Sequence, residues 1–357
     1  MKKILSAILC AAMLSFTAVY FTGCGSKTES KGEVNVYNWD EYLANGEDDL
    51  LDVVDEFEKA TGIKVNYTTY STNEELYNKL KSSNDSYDVI VPSEYMVSKL
   101  IRENMLLELN YDNIPNYKYL NSRFKNLACD PDGKYTVCSN WGVTALVYDK
   151  TKVKTKPKNW DALWDKNLKG EILMINNSRD AMAIAMQTLG IDPAKSTKAD
   201  IDKAAQKLKE QKPLLKSYVM DRVFNEMEGS QAAIAPYYAG DIAVMMEENK
   251  NLDYVLPDYG SNLFYDAFCI PTCCANKENA EAFINFMQKP EIAAENCKYL
   301  RYGCPNDEAI KLLPDDIKNS ELTIPSDEYL DKCYVFSDVD DDVYAYMQEQ
   351  FVKIKAE

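Results

Sequence analysis

Apolar and polar positions along this chain alternate between short strand patterns and longer amphipathic helical patterns. Residues 33–39 (EVNVYNW) form an apolar run typical of a buried strand, and residues 49–62 place their apolar side chains on one helical face that ends at a glycine. The two patterns then recur as strands at 63–70 and 87–93 and helices at 73–83 and 94–104. This βαβαβ order predicts a mainly parallel sheet with helices on both faces.

A second progression of the same kind follows the apolar strand pattern at 141–149. Its predicted strands are at 170–176, 231–238, 253–259 and 264–271, and its predicted helices are at 178–190, 198–211, 239–249, 277–290, 291–300 and 340–355. We expect the strand at 141–149 to lead from one lobe to the other and the strand at 264–271 to lead back. The sequence therefore predicts one lobe from 33–142 and 265–310, and a second from 143–264 and 311–357.

The first residues have the pattern of an export signal rather than of a folded element. Two lysines precede an apolar run from 4 to 21, and small residues follow immediately before Cys24. We predict a lipoprotein signal peptide at 1–23, lipidation of Cys24, and a flexible tether at 24–32. This would attach the protein by lipid alone to the outer face of the cytoplasmic membrane, in the periplasmic space if the source has an outer membrane. An uncleaved membrane helix is the alternative, but the run is only marginally long enough to span a bilayer.

Charge and composition then narrow the possible partners. The 357 residues carry a formal net charge of −17 and include no histidine. Such a balance disfavours nucleic acid and anionic lipid surfaces, which require basic patches, and suits a cationic ligand. Without histidine, a Ser-His-Asp triad, a Cys-His pair and a His-ligated metal are excluded.

Ten cysteines are many for an exported protein. Cys129 and Cys138 flank a turn and are candidates for a hairpin disulfide. The remaining spacings form no compact disulfide framework, so we predict mostly free thiols.

Candidate binding residues cluster at the predicted carboxyl ends of the strands, where open α/β sheets bind ligands. Those ends read NWDEY, PSEY, NNSRD, YYAGD and FYD, so nearly all carry an aromatic residue, an acid or both. The candidate aromatic walls are Trp39, Tyr42, Tyr95, Tyr237 and Phe264, and the candidate acids are Asp40, Glu94, Asp180, Asp241 and Asp266. Aromatic faces attract cations and cover methylene groups, and carboxylates bind ammonium groups by charge-assisted hydrogen bonds. An aliphatic polyamine needs both.

The chain resembles the substrate-binding proteins of spermidine/putrescine ABC transporters over nearly all of its predicted mature length. The motifs YNWDEY, YDVIVPSEY, WGVTALVYD, SRD and YDAFCIP stand in the family's order and spacing. The resemblance implies a two-lobed, type II periplasmic-binding-protein fold that closes on a polyamine and docks with a membrane permease. It further implies a monomer without catalytic activity, metal or cofactor.

The resemblance also implies a set of ligand-binding residues. These are Trp39, Tyr42, Tyr95, Asp180, Tyr237, Phe264, Asp266 and Tyr302. We add Asp40, Ser93 and Asn177, which belong to the same strand-end motifs, to the predicted ligand-binding residues. Asn177 stands where the spermidine-preferring pattern has an aspartate, and Phe336 stands near a position where that pattern has a glutamine. The lost carboxylate shifts weight toward a diamine.

Other interpretations of these residues remain open. Glu41 is expected to be solvated in its turn, and Glu94 and Asp241 to stabilise the starts of helices. Arg179 would be needed if the ligand were an amino acid with a carboxylate of its own. The tandem Tyr237 and Tyr238 keep a ferric-iron-binding protein of the same fold as an alternative, and an exported glycosidase using two carboxylates is a further one.

Overall fold

The computed structural model describes residues 31–40, 42–47, 49–82, 84–336 and 340–356. The predicted signal peptide, Cys24 and Glu41 therefore lie outside the described residues. Within the described part of the chain, no helix has the length and apolarity needed to cross a membrane.

The strands and helices follow one another along the chain in the alternation that the sequence predicts. The described strands are β1 (Glu33–Trp39), β2 (Lys64–Tyr70), β3 (Val89–Ile90), β4 (Val137–Asp149), β5 (Ile172–Ile175), β6 (Leu215–Val219), β7 (Ile234–Tyr238), β8 (Leu252–Val255) and β9 (Leu263–Phe268). The described helices are α1 (Val53–Thr61), α2 (Asn73–Ser82), α3 (Glu94–Arg102), α4 (Ser178–Thr188), α5 (Lys198–Gln211), α6 (Arg222–Glu228), α7 (Ala239–Glu248), α8 (Lys277–Met287), α9 (Pro290–Leu300), α10 (Asp307–Leu312), α11 (Asp315–Lys318), α12 (Asp327–Leu330) and α13 (Asp341–Ala356). Short 3₁₀ turns span Tyr111–Asn113, Pro115–Tyr119, Ser122–Phe124, Trp160–Trp164, Lys166–Leu168, Pro193–Lys195 and Lys212–Leu214.

The first sheet has the order β2-β1-β3, and both pairings are parallel. Its central strand β1 contributes Val34 and Val36, which have no exposed surface, to the core. Helix α1 begins four residues later than its apolar pattern because the Asp52 side chain accepts hydrogen bonds from two backbone N–H groups and caps it. The helix ends at Gly62, whose φ of 75° requires a left-handed conformation that glycine adopts without strain.

The second sheet has the order β6-β5-β7-β4-β8. Strand β5 pairs in parallel with β6 and β7, whereas β4 is antiparallel to β7 and β8, so this sheet is mixed. Strand β6 has no counterpart in the pattern analysis because LKSYV alternates too weakly to be distinguished from a loop. Its carboxyl end lies beside the site described below.

Strand β4 belongs to the frameworks of both halves of the molecule. Its first part, Val137–Val143, pairs with β9, and its second part, from Thr144 on, pairs with β7 and β8. The register shifts between Cys138 and Asn140, where a bulge bends the strand. Strand β9 in turn reaches the first sheet through bridges such as Ile90 to Cys269. The strands predicted to carry the chain between lobes thus lie side by side.

The C-terminal segment packs on both halves. Helix α13 lies against α4 and α5, while Leu313 and Ile317 share a buried cluster with Ala294 and Cys297 of α9. The lobe boundaries given above remain predictions, and this packing favours a return to the second lobe later than residue 311. Cys129 and Cys138 are both buried free thiols.

Candidate functional site

A cavity of about 660 Å³ lies where the strand ends of the two halves face each other. All eleven residues that the sequence predicts for ligand binding line it: Trp39, Asp40, Tyr42, Ser93, Tyr95, Asn177, Asp180, Tyr237, Phe264, Asp266 and Tyr302. Phe336, at the loosely matched position, lines the cavity as well. The topology explains this convergence, because the carboxyl ends of parallel strands lie at one edge of a sheet.

Asp266 is a buried acid of the cavity whose carboxylate is held by two hydroxyl groups. It lies on β9, is only 3% exposed, and accepts hydrogen bonds from the Ser93 hydroxyl at 2.6 Å and from the Tyr42 hydroxyl. The same Tyr42 hydroxyl lies 3.1 Å from Asn140 Oδ1. Burial raises the pKa of Asp266 to about 6, although the two hydroxyl groups oppose the shift. The carboxylate is therefore held in place but poorly solvated, and a cation would stabilise its charged form.

A second carboxylate, that of the half-buried Asp241, faces the same cavity. It lies in the first turn of α7, as expected for an acid that stabilises a helix start, and it accepts a hydrogen bond from the Tyr302 hydroxyl at 3.1 Å. Burial raises the pKa of Asp241 to about 7. The Tyr302 ring can approach α7 this closely because residue 240 is a glycine, and a Cβ atom there would collide with the ring. We expected Asp241 only to stabilise the start of a helix, and the sequence did not predict that its carboxylate faces the cavity.

Asp180 and Asn177 lie at the start of α4, but their side chains serve different purposes. Asn177 Oδ1 accepts from the backbone N–H groups of Arg179 and Asp180 and caps the helix. The Asp180 carboxylate accepts from the Tyr238 hydroxyl at 3.0 Å and from the Asn262 side chain at 3.2 Å. Burial raises the pKa of Asp180, while Arg179 and these two donors act against the shift.

The aromatic rings of Tyr42 and Tyr302, whose hydroxyl groups bond to Asp266 and Asp241, are neighbours in the cavity. The ring of Tyr42 lies 6.5 Å from that of Tyr302, and Tyr302 meets Phe264 edge to face at 5.6 Å. Trp39 is fixed by a 2.8 Å hydrogen bond from its indole N–H to the Val91 carbonyl, with its ring 6.2 Å from Tyr42. Aromatic rings and acids therefore line the same cavity.

Tyr237 and Tyr238 contribute unequally. Tyr237 is 2% exposed and its hydroxyl points to Asp221 at 3.4 Å, so it mainly supports the wall. Tyr238 is half-buried, bonds to Asp180 and packs on Phe264 at 5.5 Å. Because the two hydroxyl groups bond to different acids, they do not converge as iron ligands would. Among the residues that the structure describes, no group of three or more Cys, Asp or Glu side chains is placed to hold a metal ion.

Glu94 behaves as more than a helix-start acid. It lies in the first turn of α3, is 3% exposed, and accepts the backbone N–H of Tyr265 at 3.2 Å. Burial and the neighbouring Asp266 raise the pKa of Glu94 to about 8. A proton on Glu94 would relieve repulsion between the two acids.

Arg179 is the one cation among the described residues that line the cavity. Its guanidinium carbon lies 3.3 Å from the ring centre of Tyr95 and 5.1 Å from that of Tyr344, and Nη1 is 3.9 Å from Glu74. The hydroxyl groups of both tyrosines also donate to Glu74, at 3.2 and 3.1 Å. We refer to Arg179, Tyr95, Tyr344 and Glu74 as the arginine box.

Sequence reasoning missed several residues that line the cavity: Tyr70, Glu74, Asp221, Tyr238, Asn262, Tyr344 and Gln348. Tyr238 carried a signal, since it belongs to the same strand-end motif as Tyr237. Asp221 follows β6, the strand that the pattern did not predict. Tyr344 and Gln348 lie on α13, far from any strand end, so the strand-end rule had no means of finding them.

Comparisons with known proteins place the chain among transport proteins. The model of the family described as "Bacterial extracellular solute-binding protein" matches residues 52–324. The spermidine/putrescine-binding periplasmic protein of Salmonella typhimurium is 30% identical over 322 residues, covering 90% of each chain.

Two solved structures have the same fold. A putative spermidine/putrescine ABC transporter protein from Listeria monocytogenes has 36% identity and a TM-score of 0.84, covering 90% of this chain and 98% of its own. The spermidine/putrescine ABC transporter substrate-binding protein PotD from Streptococcus pneumoniae has 31% identity and a TM-score of 0.82, covering 91% of this chain and 99% of its own. The predicted two-lobed periplasmic-binding-protein fold of type II is thereby confirmed.

Proposed function

The chain belongs to the family of bacterial extracellular solute-binding proteins, and from that premise we propose that it captures a polyamine for an ABC importer. Putrescine, spermidine or both would bind in the cavity between the lobes and pass to the membrane permease. The relatives named above carry spermidine and putrescine in their names, which supports this ligand class. The proposed action is binding and delivery, without bond making.

The observation that carries the proposal is the pair of carboxylates Asp266 and Asp241 in a cavity that aromatic rings also line. Asp266 accepts hydrogen bonds from the hydroxyl groups of Ser93 and Tyr42, and Asp241 accepts one from the Tyr302 hydroxyl. These donors carry no charge. An isolated buried carboxylate is costly unless a countercharge reaches it. A diamine supplies two countercharges on one chain, and its methylene groups would cover the rings of Tyr42, Tyr302 and Phe264.

Closure would strengthen the same contacts. Asp266 comes from β9 and Asp241 from α7 of the second sheet's lobe, so a ligand that bridges them joins the lobes. As water leaves the cavity, each ammonium–carboxylate attraction acts in a medium of lower dielectric constant. The ligand favours the closed form because it contacts both lobes only in that form, as in a hinge-type transition.

A ligand with one ammonium and one carboxylate is the second candidate. Arg179 Nη1 is buried, and no hydrogen-bond partner for it is among the described atoms. A carboxylate could use that donor, which keeps an amino acid as an outcome of the test below.

We infer the remaining features from the sequence and the family. Cleavage before Cys24 followed by lipidation would hold the protein at the outer face of the cytoplasmic membrane, with 24–32 as a tether. The family description, extracellular, supports export. A monomer that docks with its permease through both lobes fits this role.

Titration calorimetry on the chain from residue 25 onward tests the proposal. We expect putrescine or spermidine to bind with a Kd of micromolar or tighter, about −8 kcal/mol or more favourable. Butane-1,4-diol, which lacks the charges, is the matched control and should not bind. Binding of 4-aminobutyrate or ferric citrate with no binding of either amine would overturn the proposal.

A further inference from the structure

Two cysteines flank the turn that carries Tyr302 into the cavity. Cys297 lies in the last turn of α9, Cys304 follows the turn, and the two residues are only 4% and 3% exposed. Both belong to the same buried cluster. Between them, Arg301 has a left-handed φ of 57° and ends the helix. The chain therefore leaves α9, passes through the binding cavity at Tyr302 and returns to the side of the helix.

The thiol groups of these two cysteines are neighbours. Cys304 Sγ lies 4.0 Å from the carbonyl oxygen of Ala293, the residue about one helical turn before Cys297. The Cys297 thiol donates to the Tyr302 carbonyl at 3.1 Å. The adjacent Cys304 thiol, together with burial, raises the pKa of Cys297. Both thiols also line a small cavity of about 20 Å³ that Tyr42 and Tyr302 line as well.

We propose that Cys297 and Cys304 form a disulfide that ties the turn carrying Tyr302 to the end of α9. Both are thiols in this structure. The export predicted from the first residues would bring them into an oxidising environment, where such pairs form and persist. A single disulfide among the eight described cysteines agrees with the mostly free thiols that the sequence predicts.

The oxidant is a small disulfide such as oxidised glutathione. One protein thiolate attacks a sulfur of that disulfide, which forms a mixed disulfide and releases one glutathione thiol. The second protein thiolate then attacks the protein sulfur of the mixed disulfide and releases the other glutathione. The protein loses two protons and two electrons, and the oxidant is reduced to two thiols.

Burial determines when this reaction takes place. The thiolate is the attacking form, and burial in the folded protein disfavours it at Cys297. The turn is also held in place, because Gly303 and Trp141 exchange two backbone hydrogen bonds of 2.8 and 3.1 Å. Oxidation therefore accompanies folding, before the turn has packed, and is slow once the protein is folded.

Peptide mapping without reduction tests the proposal. Lys298 and Arg301 lie between the two cysteines, so trypsin yields one peptide that ends at Lys298 and another that begins at Tyr302, each with a single cysteine. The chain from residue 25 onward is refolded from its reduced, unfolded state with oxidised glutathione. The folded fraction is isolated, and its free thiols are alkylated before digestion. We expect the two peptides as one linked species, two hydrogens lighter than their sum, which reduction separates.

The same oxidant added to protein that has already folded in the reduced state should give the linked species roughly tenfold more slowly or less. Oxidation during folding should raise the Tm by about 3 °C, because the disulfide restricts the unfolded chain. An equal rate of linkage in the folded protein would overturn the assignment of the reaction to folding.

Three serine variants serve as controls. Cys297→Ser and Cys304→Ser should each give neither the linked species nor the rise in Tm. Cys333→Ser removes a half-buried thiol that donates to the Tyr329 carbonyl, and should retain both. Two separate, alkylated peptides from the wild type, or linkage of either to a third cysteine, would overturn the proposal. The mapping involves no ligand, so its outcome is independent of whether an amine binds.

Discussion

At the scale of single residues, what distinguishes the cavity is the burial of its acids. Asp266 and Asp241 each accept a hydrogen bond from a tyrosine hydroxyl group, but burial disfavours their charged forms and raises the pKa of both. Such carboxylates gain more from an ammonium group than exposed ones do, because the attraction is less screened.

Asp266→Asn should lower the affinity for the bound amine by one to two orders of magnitude. The amide retains the shape of the side chain but loses the charge, and a hydrogen bond to a charged group contributes about 2 kcal/mol. Calorimetry with the preferred amine measures the loss.

The matched control for this variant is Asp253→Asn. Asp253 lies on β8, outside the cavity, and accepts from the Tyr148 hydroxyl at 2.9 Å. We expect its replacement to leave the affinity unchanged. Wild-type affinity in Asp266→Asn would remove Asp266 from the binding site.

The sequence could predict Asp266 but not the role of Asp241, and the reason is geometric. Both acids belong to motifs that the sequence analysis assigned to strand ends, although Asp266 lies within β9. Asp241 is also in the first turn of a helix, where an acid is favoured for the helix alone. Only the approach of Tyr302 over Gly240, from a segment sixty residues later in the chain, shows that the carboxylate faces the cavity.

At the scale of elements, the site depends on how helices begin. Helices α3, α4 and α7 all start at the cavity and place Glu94, Asp180 and Asp241 in their first turns. Asn177 belongs to the cap of α4, so its conspicuous position in the sequence has a structural explanation independent of any ligand.

Asn177→Ala should destabilise the protein by about 1 kcal/mol, the usual cost of losing a helix N-cap. Asn177→Asp keeps the capping oxygen and should retain the wild-type stability. Urea unfolding followed by circular dichroism measures both variants. An alanine variant as stable as the wild type would show that the cap contributes nothing.

Elements with a clear period could be predicted from the sequence, and irregular ones could not. In the first βαβαβ run, α2 and α3 start at the predicted residues, and α1 starts four residues later because the Asp52 side chain caps it. Strand β6 was missed because its five residues show no clear alternation of apolar and polar side chains. Residues 137–140 at the start of β4 were missed because their pairing with β9 is set by residues far along the chain.

At the scale of the whole molecule, the buried acids couple ligand binding to pH. Asp266, Asp241 and Glu94 have pKa values of about 6, 7 and 8 in the folded chain, above those of free carboxyl groups. Between about pH 4 and 8 the folded state therefore binds more protons than the unfolded state, so these groups make stability fall as pH rises. Glu103, with its pKa lowered to about 2, acts in the opposite direction, but only at lower pH.

We expect the ligand-free protein to melt at a lower temperature at pH 8 than at pH 6, and the stabilisation by a saturating diamine to be larger at pH 8. A cation favours the deprotonated acids, so binding near pH 7 should release protons. Scanning calorimetry measures the melting temperatures with and without the diamine. Calorimetric titrations in phosphate and in Tris measure proton release, because the two buffers differ in their heats of ionisation. Asp241→Asn should release fewer protons, and equal heats in both buffers for the wild type would contradict the coupling.

The pairing of β4 with a strand far along the chain affects when the protein can fold during its synthesis. The first half of β4 pairs with β9, about 120 residues later, and β3 is bridged to Cys269, so the first sheet's lobe lacks neighbours until that region exists. At the usual elongation rate of about 5–20 residues per second, that gap lasts on the order of ten seconds. A nascent chain therefore stays incompletely folded until about three quarters of it has been made, which would suit the export predicted from its first residues.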